Sequence, residues 1–181
     1  MAGGTRFSID GFKSNMRDGQ RSNLFFFLPN FPLDVVTGDM KNDRAVYLVK
    51  TTQLPGSTLE EAIINWQGMD FPIAGKRTFA AITVSFNLDH ETYLRQNFEK
   101  WVNKIHNPVT NKWAMINEYM LDQRLQLLGN DGTPKMEFIL HDAWPQEVAQ
   151  ATLDYSATEL TMFDVTFRYV YHTTSAKATG A

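Results

Sequence analysis

The sequence predicts a mainly β protein, an antiparallel β-sandwich or barrel that carries one amphipathic α-helix. Three observations lead there. Segments such as Phe79–Leu88 and Leu160–Tyr171 alternate apolar and polar residues, the period of a strand with one buried face. Turn signals separate them, the strongest being Gly129-Asn130-Asp131-Gly132. Only one stretch, Leu94 to Ile105, changes cleanly to helical spacing.

In chain order, residues 1–22 are rich in Gly, Ser, Asn and charge and read as an arm without a core of its own. Asn23–Leu28 is the first strand, stopped by Pro29. Pro29–Asp43 holds two prolines and the Thr37-Gly38-Asp39 turn signal, and reads as a surface loop. Ala45–Thr52 is a second strand. Thr58–Trp66 and Met69–Ile73 form a weakly alternating pair around Gly68, with Pro72 indicating an edge. In Phe79–Leu88, Ala80, Ile82, Val84, Phe86 and Leu88 share one face. The helix aligns Leu94, Phe98, Trp101, Val102 and Ile105, with Asp89 placed to cap its start and Pro108 beyond its end. Asn107–Asn117 reads as a polar loop apart from Trp113, Met115 and Ile116. Tyr119–Leu128 and Met136–His141 then flank the hairpin turn, Trp144-Pro145 breaks the return, and Gln150–Tyr155 and Leu160–Tyr171 close the set. The fold is therefore expected over residues 23–172, with 173–181 a frayed tail.

Composition removes several function classes. Seventeen Lys and Arg against twenty Asp and Glu give a net charge of −3, which leaves no basic excess to hold nucleic acid by its phosphates. The absence of cysteine excludes disulfides and Cys-ligated metals. The first twenty residues lack the apolar core of a signal peptide, and no run approaches the roughly 18 apolar residues of a membrane helix. The expected setting is soluble, with assembly in a cytoplasm and no membrane partner.

Catalytic signatures are weak. His90, His106, His141 and His172 are scattered, and His141-Asp142 resembles half of a relay without a Gly-x-Ser-x-Gly elbow. The acidic pairs Glu60/Glu61 and Asp89/Glu91 fit solvated faces and caps better than a glycosidase cleft. Ala74-Gly75-Lys76-Arg77-Thr78 lacks the spacing of a phosphate loop. In the last strand Arg168 points away from Phe167 and Tyr169, so the aromatics read as core rather than a base-stacking platform. No cofactor and no metal site is indicated.

Several segments in order carry a resemblance. They are Leu54-Pro55 after the second strand, then Ala74-Gly75-Lys76-Arg77-Thr78-Phe79 leading into a clear strand, then the single helix. Met136 to Val148 with its Trp144-Pro145-Gln146-Glu147-Val148 ending follows, and Thr161 to Tyr169 closes the order. From about Asn23 to Tyr171 this resembles the tail-tube family of contractile-tailed phages, which includes the tubes of phage-tail-like bacteriocins.

The resemblance implies a structural subunit rather than an enzyme. Hexameric rings would stack into a hollow conduit in the virion tail, through which DNA (or an effector) passes without specific binding. It also implies sheath, tape-measure, baseplate and tail-terminator partners. By the same analogy, Leu54 to Thr78 is a candidate ring-stacking or inter-subunit region, with Leu54, Pro55, Ala74, Gly75, Arg77 and Thr78 as its marks, together with the N-terminal arm. Thr83, Ser85, Asp122, Arg124, Asp164 and Arg168 are candidate lumen residues, against the plainer reading that they are ordinary outer faces. The arm and the Pro29–Asp43 segment depart from a simple tube subunit. They leave open a baseplate tube-initiator, and an Hcp-like carrier tube of a secretion system also stays open.

Overall fold

A computed structural model describes residues 8–16, 19–36, 42–156 and 158–176. Its core is a β-sandwich, not a closed barrel. Among the described residues, nine strands build the sandwich and its projecting hairpin: β1 (Phe25–Leu28), β2 (Val49–Thr52), β3 (Ser57–Trp66), β4 (Met69–Phe79), β5 (Ile82–Asn87), β8 (Leu121–Leu128), β9 (Pro134–Val148), β10 (Met162–Arg168) and β11 (Tyr171–Ala176). A two-residue ladder joins β6 (His106–Asn107) to β7 (Lys112–Trp113). The helices are α1 (Ile9–Met16), α2 (Asn42–Tyr47), α3 (Tyr93–Ile105) and α4 (Ile116–Tyr119).

All sandwich pairings are antiparallel. One sheet runs β1-β8-β9-β11 and the other β9-β10-β5-β2, so β9 belongs to both. Its first part pairs β11 up to His141 and β8 up to Ala143, and its second part pairs β10 from Trp144 onward. At this junction Asp142 adopts φ 54°, a left-handed conformation that turns the strand from one sheet into the other. The Trp144-Pro145 break expected from the sequence is thus a continuation of β9. Proline is accommodated because the register against β10 shifts there.

The two inner faces interdigitate. Phe27, Leu125 and Leu140 from the first sheet meet Ile82, Val84, Phe86, Phe163, Val165 and Phe167 from the second, all buried. Helix α3 closes one side through Leu94, Phe98 and Trp101, which are fully buried. Phe98 lies within 5.2–6.1 Å of the rings of Phe86, Phe163 and Phe167. The Trp101 indole N–H donates to the Tyr119 carbonyl at 2.9 Å, which satisfies its one polar atom. Asp89 caps α3 as expected, although Thr92 (φ 58°) is the residue that precedes the helix. The Asp89 carboxylate accepts from the Tyr93 N–H at 3.0 Å and the Leu94 N–H at 3.2 Å.

Five expectations change. The Pro29–Asp43 loop is not merely superficial, because Phe31 and Val35 are buried against Phe98 and Trp101. Ala45–Tyr47 is the end of a helix, and the strand starts only at Val49. Asn107–Asn117 contains the β6–β7 ladder and the start of α4. Gln150–Tyr155 is not a strand. The tail expected to fray is strand through Ala176, where Thr173 to Ala176 pair with Ile139 to Met136. Small polar residues form a strand here because only backbone pairing is needed at that edge. The Thr37-Gly38-Asp39 turn and residues 177–181 lie outside the described residues.

Three substitutions test this packing and capping by urea denaturation. Phe167→Ala empties a fully buried site and is expected to cost about 3–5 kcal/mol. Trp144 is half-buried beside Tyr119, so Trp144→Ala should cost less than half of that. Asp89→Ala leaves two helix N–H groups without their acceptor and should cost about 1 kcal/mol.

Candidate assembly surface

Strands β3 and β4 form a hairpin that stands apart from the sandwich: from Ser57 to Gly75 its residues are all exposed. Its turn is Gln67-Gly68, with φ 48° and 80°, the positive pair that a two-residue turn between right-twisted strands requires. The register pairs Ala62 with Ile73, Ile64 with Phe71 and Trp66 with Met69. Directly paired residues point to the same side of a sheet, so these six make one continuous apolar face. The opposite face carries Ile63, Pro72, Asn65 and Asp70. Trp66 and Met69 are 66% and 69% exposed, and Phe71 63%.

A bulge between Leu59 and Glu61 shifts the register below that face. Gly75 sits opposite it, and a β-carbon there would lie 3.0 Å from the Glu60 carbonyl oxygen. The root of the hairpin is aromatic. Phe79 packs on His172 (5.3 Å, edge-on) and Tyr169 (6.2 Å), while the Arg77 guanidinium lies 5.2 Å over the Phe79 ring and donates to the Ser57 hydroxyl at 2.8 Å. Burial, and then the charge of Arg77, lower the pKa of His172 below its ordinary 6.5. Its Nδ1 is buried without a hydrogen-bond partner, which fits a neutral ring.

The candidate stacking residues divide accordingly. Arg77 belongs to the root, where it helps fix Phe79. Thr78 pairs with Thr58, and Ala74 with Glu61. Gly75 permits the bulge, and Leu54 and Pro55 precede β3, Leu54 being 57% exposed. The Leu54–Thr78 candidate region includes the distal hairpin, but its apolar residues were not among the individually named marks. Their signal was the two-residue spacing around Gln67-Gly68, which mirrors Ile64 onto Phe71 and Trp66 onto Met69.

The candidate lumen residues fall into two groups on opposite sides of the sandwich. On the outer face of the β10–β5 sheet, Asp164 pairs with Ser85, and the Thr83 and Thr166 hydroxyls lie 3.3 Å apart. Arg168 shares that face two residues beyond Thr166, opposite Trp144. Asp122 and Arg124 lie instead on the outer face of β8. Two outer faces of a sandwich point away from each other, so both groups of one subunit do not line a single channel.

Asp122 also has a structural task. Its carboxylate accepts from the Asp142 N–H at 3.1 Å and meets His141 Nδ1 at 3.1 Å, while His141 Nε2 lies 2.9 Å from the Thr173 hydroxyl. The carboxylate that partners His141 is therefore Asp122 rather than the adjacent Asp142. It ties β8, β9 and β11 together at the β9 corner. Among the described residues, no group of three or more acidic or His side chains could hold a metal ion. No helix among them is long and apolar enough to cross a membrane.

Beside its sandwich the chain thus carries a hairpin whose apolar face stays exposed, and comparison with known proteins specifies the family. The sequence profile of the family described as phage tail tube protein matches residues 19–175. The chain is 29% identical over 167 residues to the tail tube protein of Serratia phage KSP90, covering 90% of this chain and 94% of that one. It is 27% identical over 135 residues to the baseplate tail-tube junction protein gp54 of Enterobacteria phage T4, covering 72% of this chain but only 41% of that one. The fold is similar to a chain of the anti-feeding prophage tube-terminating cap (TM-score 0.63, 15% identity, 87% of this chain and 91% of that one). It is also similar to one in the sheath–tube complex of an extracellular contractile injection system (TM-score 0.57, 16% identity, 91% and 97%). The chain belongs to the phage tail tube protein family, structural components of the virion tail.

The His172 environment gives a pH prediction. Its folded pKa lies below its unfolded value, so the folded state resists a proton that the unfolded chain accepts. Stability is therefore full above about pH 6.5 and declines as pH falls below it. His172→Phe should flatten that part of a melting-temperature profile; an unchanged acid slope would show that other groups cause it.

Proposed function

We propose that this chain assembles head to tail into hexameric rings that stack into a hollow tail tube, through which DNA passes without specific binding. The observation that carries the reading is the apolar face of the β3–β4 hairpin, in a chain whose family match spans nearly the whole sandwich. Five large apolar side chains, each leaving on the order of 100 Å² uncovered, amount to roughly 500 Å². That is at the upper end for a whole monomer's largest apolar patch and near the roughly 800 Å² that each partner buries in a stable interface. A neighbouring copy supplies the cover. The edge strands β1 and β2 have further pairing capacity for closing a ring, which a head-to-tail interface does when its rotation permits.

In this reading residues 57–79, with Leu54 and Pro55 before them, contact adjacent copies, and the root residues Arg77 and Thr78 set the angle of the projection. Residues 1–22 act as an assembly arm and residues 23–172, with β11 running on to Ala176, as the tube domain. The lumen face is that of Thr83, Ser85 and Asp164, with Arg168 at its margin. Small hydroxyls and a near-balanced charge offer a phosphate backbone little to hold. The work is structural, with no turnover and no cofactor, and the tube meets sheath, tape-measure, baseplate and terminator proteins. The match to gp54 favours a tube-initiator as the second reading, but it covers less than half of that relative, whereas the tail tube match covers almost all of its own.

Negative-stain electron microscopy at rising concentration is the direct test. Uniform rings or hollow tubes are expected, and monomers at every concentration would overturn the reading. Trp66→Ser with Phe71→Ser should abolish tubes while leaving the melting temperature within a few degrees, because neither side chain touches the core. For the lumen, Ser85→Cys in assembled tubes should react with a small maleimide and be protected from a large polymer-linked one. Equal protection of Arg124→Cys alone would assign the lumen to the other sheet.

A further inference from the structure

Helix α1 raises the same question as the hairpin, from the other side. Ile9, Phe12 and Met16 stand at i, i+3 and i+7, so they share one stripe. All are exposed, at 69%, 62% and 55%, and the helix buries no residue. An eight-residue helix is too short to persist on its own propensity, because isolated helices below about 12–15 residues are marginal in water. A lone two-stranded hairpin is equally marginal until a third strand or a helix covers it.

We infer that α1 of one copy packs on the apolar face of the β3–β4 hairpin of a neighbouring copy, a helix-on-hairpin contact that rests on the tube reading above. Three features match the surfaces. The helix is about 12 Å long, and the apolar ladder from Ala62/Ile73 to Trp66/Met69 is about 13 Å. The arm is basic, with Arg6, Lys13, Arg17 and Arg21 against Asp10 and Asp18, whereas the distal hairpin, residues 60–75, carries Glu60, Glu61 and Asp70 around its apolar face, with Lys76 and Arg77 only at its root. The roots also lie apart along β8. The Gln20 side chain donates to the Leu128 carbonyl at 2.8 Å and fixes the arm at the C-terminal end of that strand. The hairpin leaves beside His172, which pairs with Leu140 and through it with Gln123 near the other end. Five residues of strand separate the two levels, about 17 Å. Head-to-tail stacking brings the arm of one copy toward the hairpin of the next.

Other apolar surfaces fit less well. The exposed Val109, Trp113, Met115 and Ile116 surface includes Lys112 in the same segment, a charge that repels a basic arm. The Leu153, Tyr155 and Leu160 segment is acidic like the hairpin, but it offers no ordered ladder for a helix to lie along.

The test places a photo-crosslinking benzoylphenylalanine at Phe12 in the full chain. Tubes are assembled from an equal mixture of ¹⁴N- and ¹⁵N-labelled protein and cross-linked peptides are mapped by mass spectrometry. Cross-links from position 12 to residues 62–73 that join the two isotopes are expected. Tubes in which position 12 links to residues 109–116 or 150–160, or only within its own copy, overturn the arm contact and leave the tube reading standing. A chain that forms no tubes, labelled or unlabelled, overturns both. As a second measurement, Phe12→Asp should weaken assembly at least tenfold in critical concentration with an unchanged melting temperature. Normal assembly of that variant would also sink the contact.

Discussion

The structure depends on one strand that serves two sheets. Because β9 pairs β8 and β11 with its first half and β10 with its second, the two layers share a covalent hinge, and their relative angle is set at a single residue. Asp142 pays for that corner with a left-handed backbone, an uncommon state for a residue with a β-carbon. The Asp122 carboxylate takes up the Asp142 N–H and His141 at once, and His141 reaches on to Thr173. Three strands are thereby fastened where the strain is stored. Once the corner is fixed, Phe27 and Leu140 face Phe86, Phe163 and Phe167 across one core, with α3 as the remaining wall.

The same hinge governs what the outside of the molecule offers. Polar residues that look equivalent along the sequence end on faces that point in opposite directions. Asp122 and Arg124 go to one side, and Ser85 and Asp164 to the other. A subunit of a tube needs this asymmetry, because one sheet has to face a channel while the other meets whatever surrounds the ring. Residues near the corner also carry two demands: Asp122 cannot be free to tune a channel while it holds β9 in place.

Where alternation was strong, the sequence displayed its structure. Ile82, Val84 and Phe86, and likewise Phe163, Val165 and Phe167, are buried on the face that their period assigned, and the Leu94–Ile105 stripe is the one long helix of the core. The failures have physical causes. Trp144-Pro145 looks like a break because proline cannot donate to a ladder, yet a register shift absorbs it. Thr173 to Ala176 look like a tail because they bury little, and pairing to β9 is a long-range fact that local composition does not contain. Ala45–Tyr47 has strand-like residues but forms the end of a helix, a case of tertiary context prevailing over weak propensity. Phe31 and Val35 were placed on a surface loop because their neighbours are prolines and charges, whereas it is α3 that draws them inward.

The hairpin shows how an assembly site differs from a catalytic one in what a sequence reveals. A catalytic site announces itself by residue type, and no such constellation stood out here. An assembly site is written as surplus: apolar residues on an element that has nothing of its own to cover. Ile64, Trp66, Met69 and Phe71 alternate poorly as single strands and become one face only when folded about Gln67-Gly68. In an isolated chain that face would be a liability, since exposed strand pairs with apolar sides invite unspecific association. Such a face makes sense when, as in the proposed tube, the covering surface comes from another copy of the same chain. Beyond its root at Phe79, the hairpin then adds little to the monomer and much to the proposed polymer, so damage to folding and to assembly can be told apart.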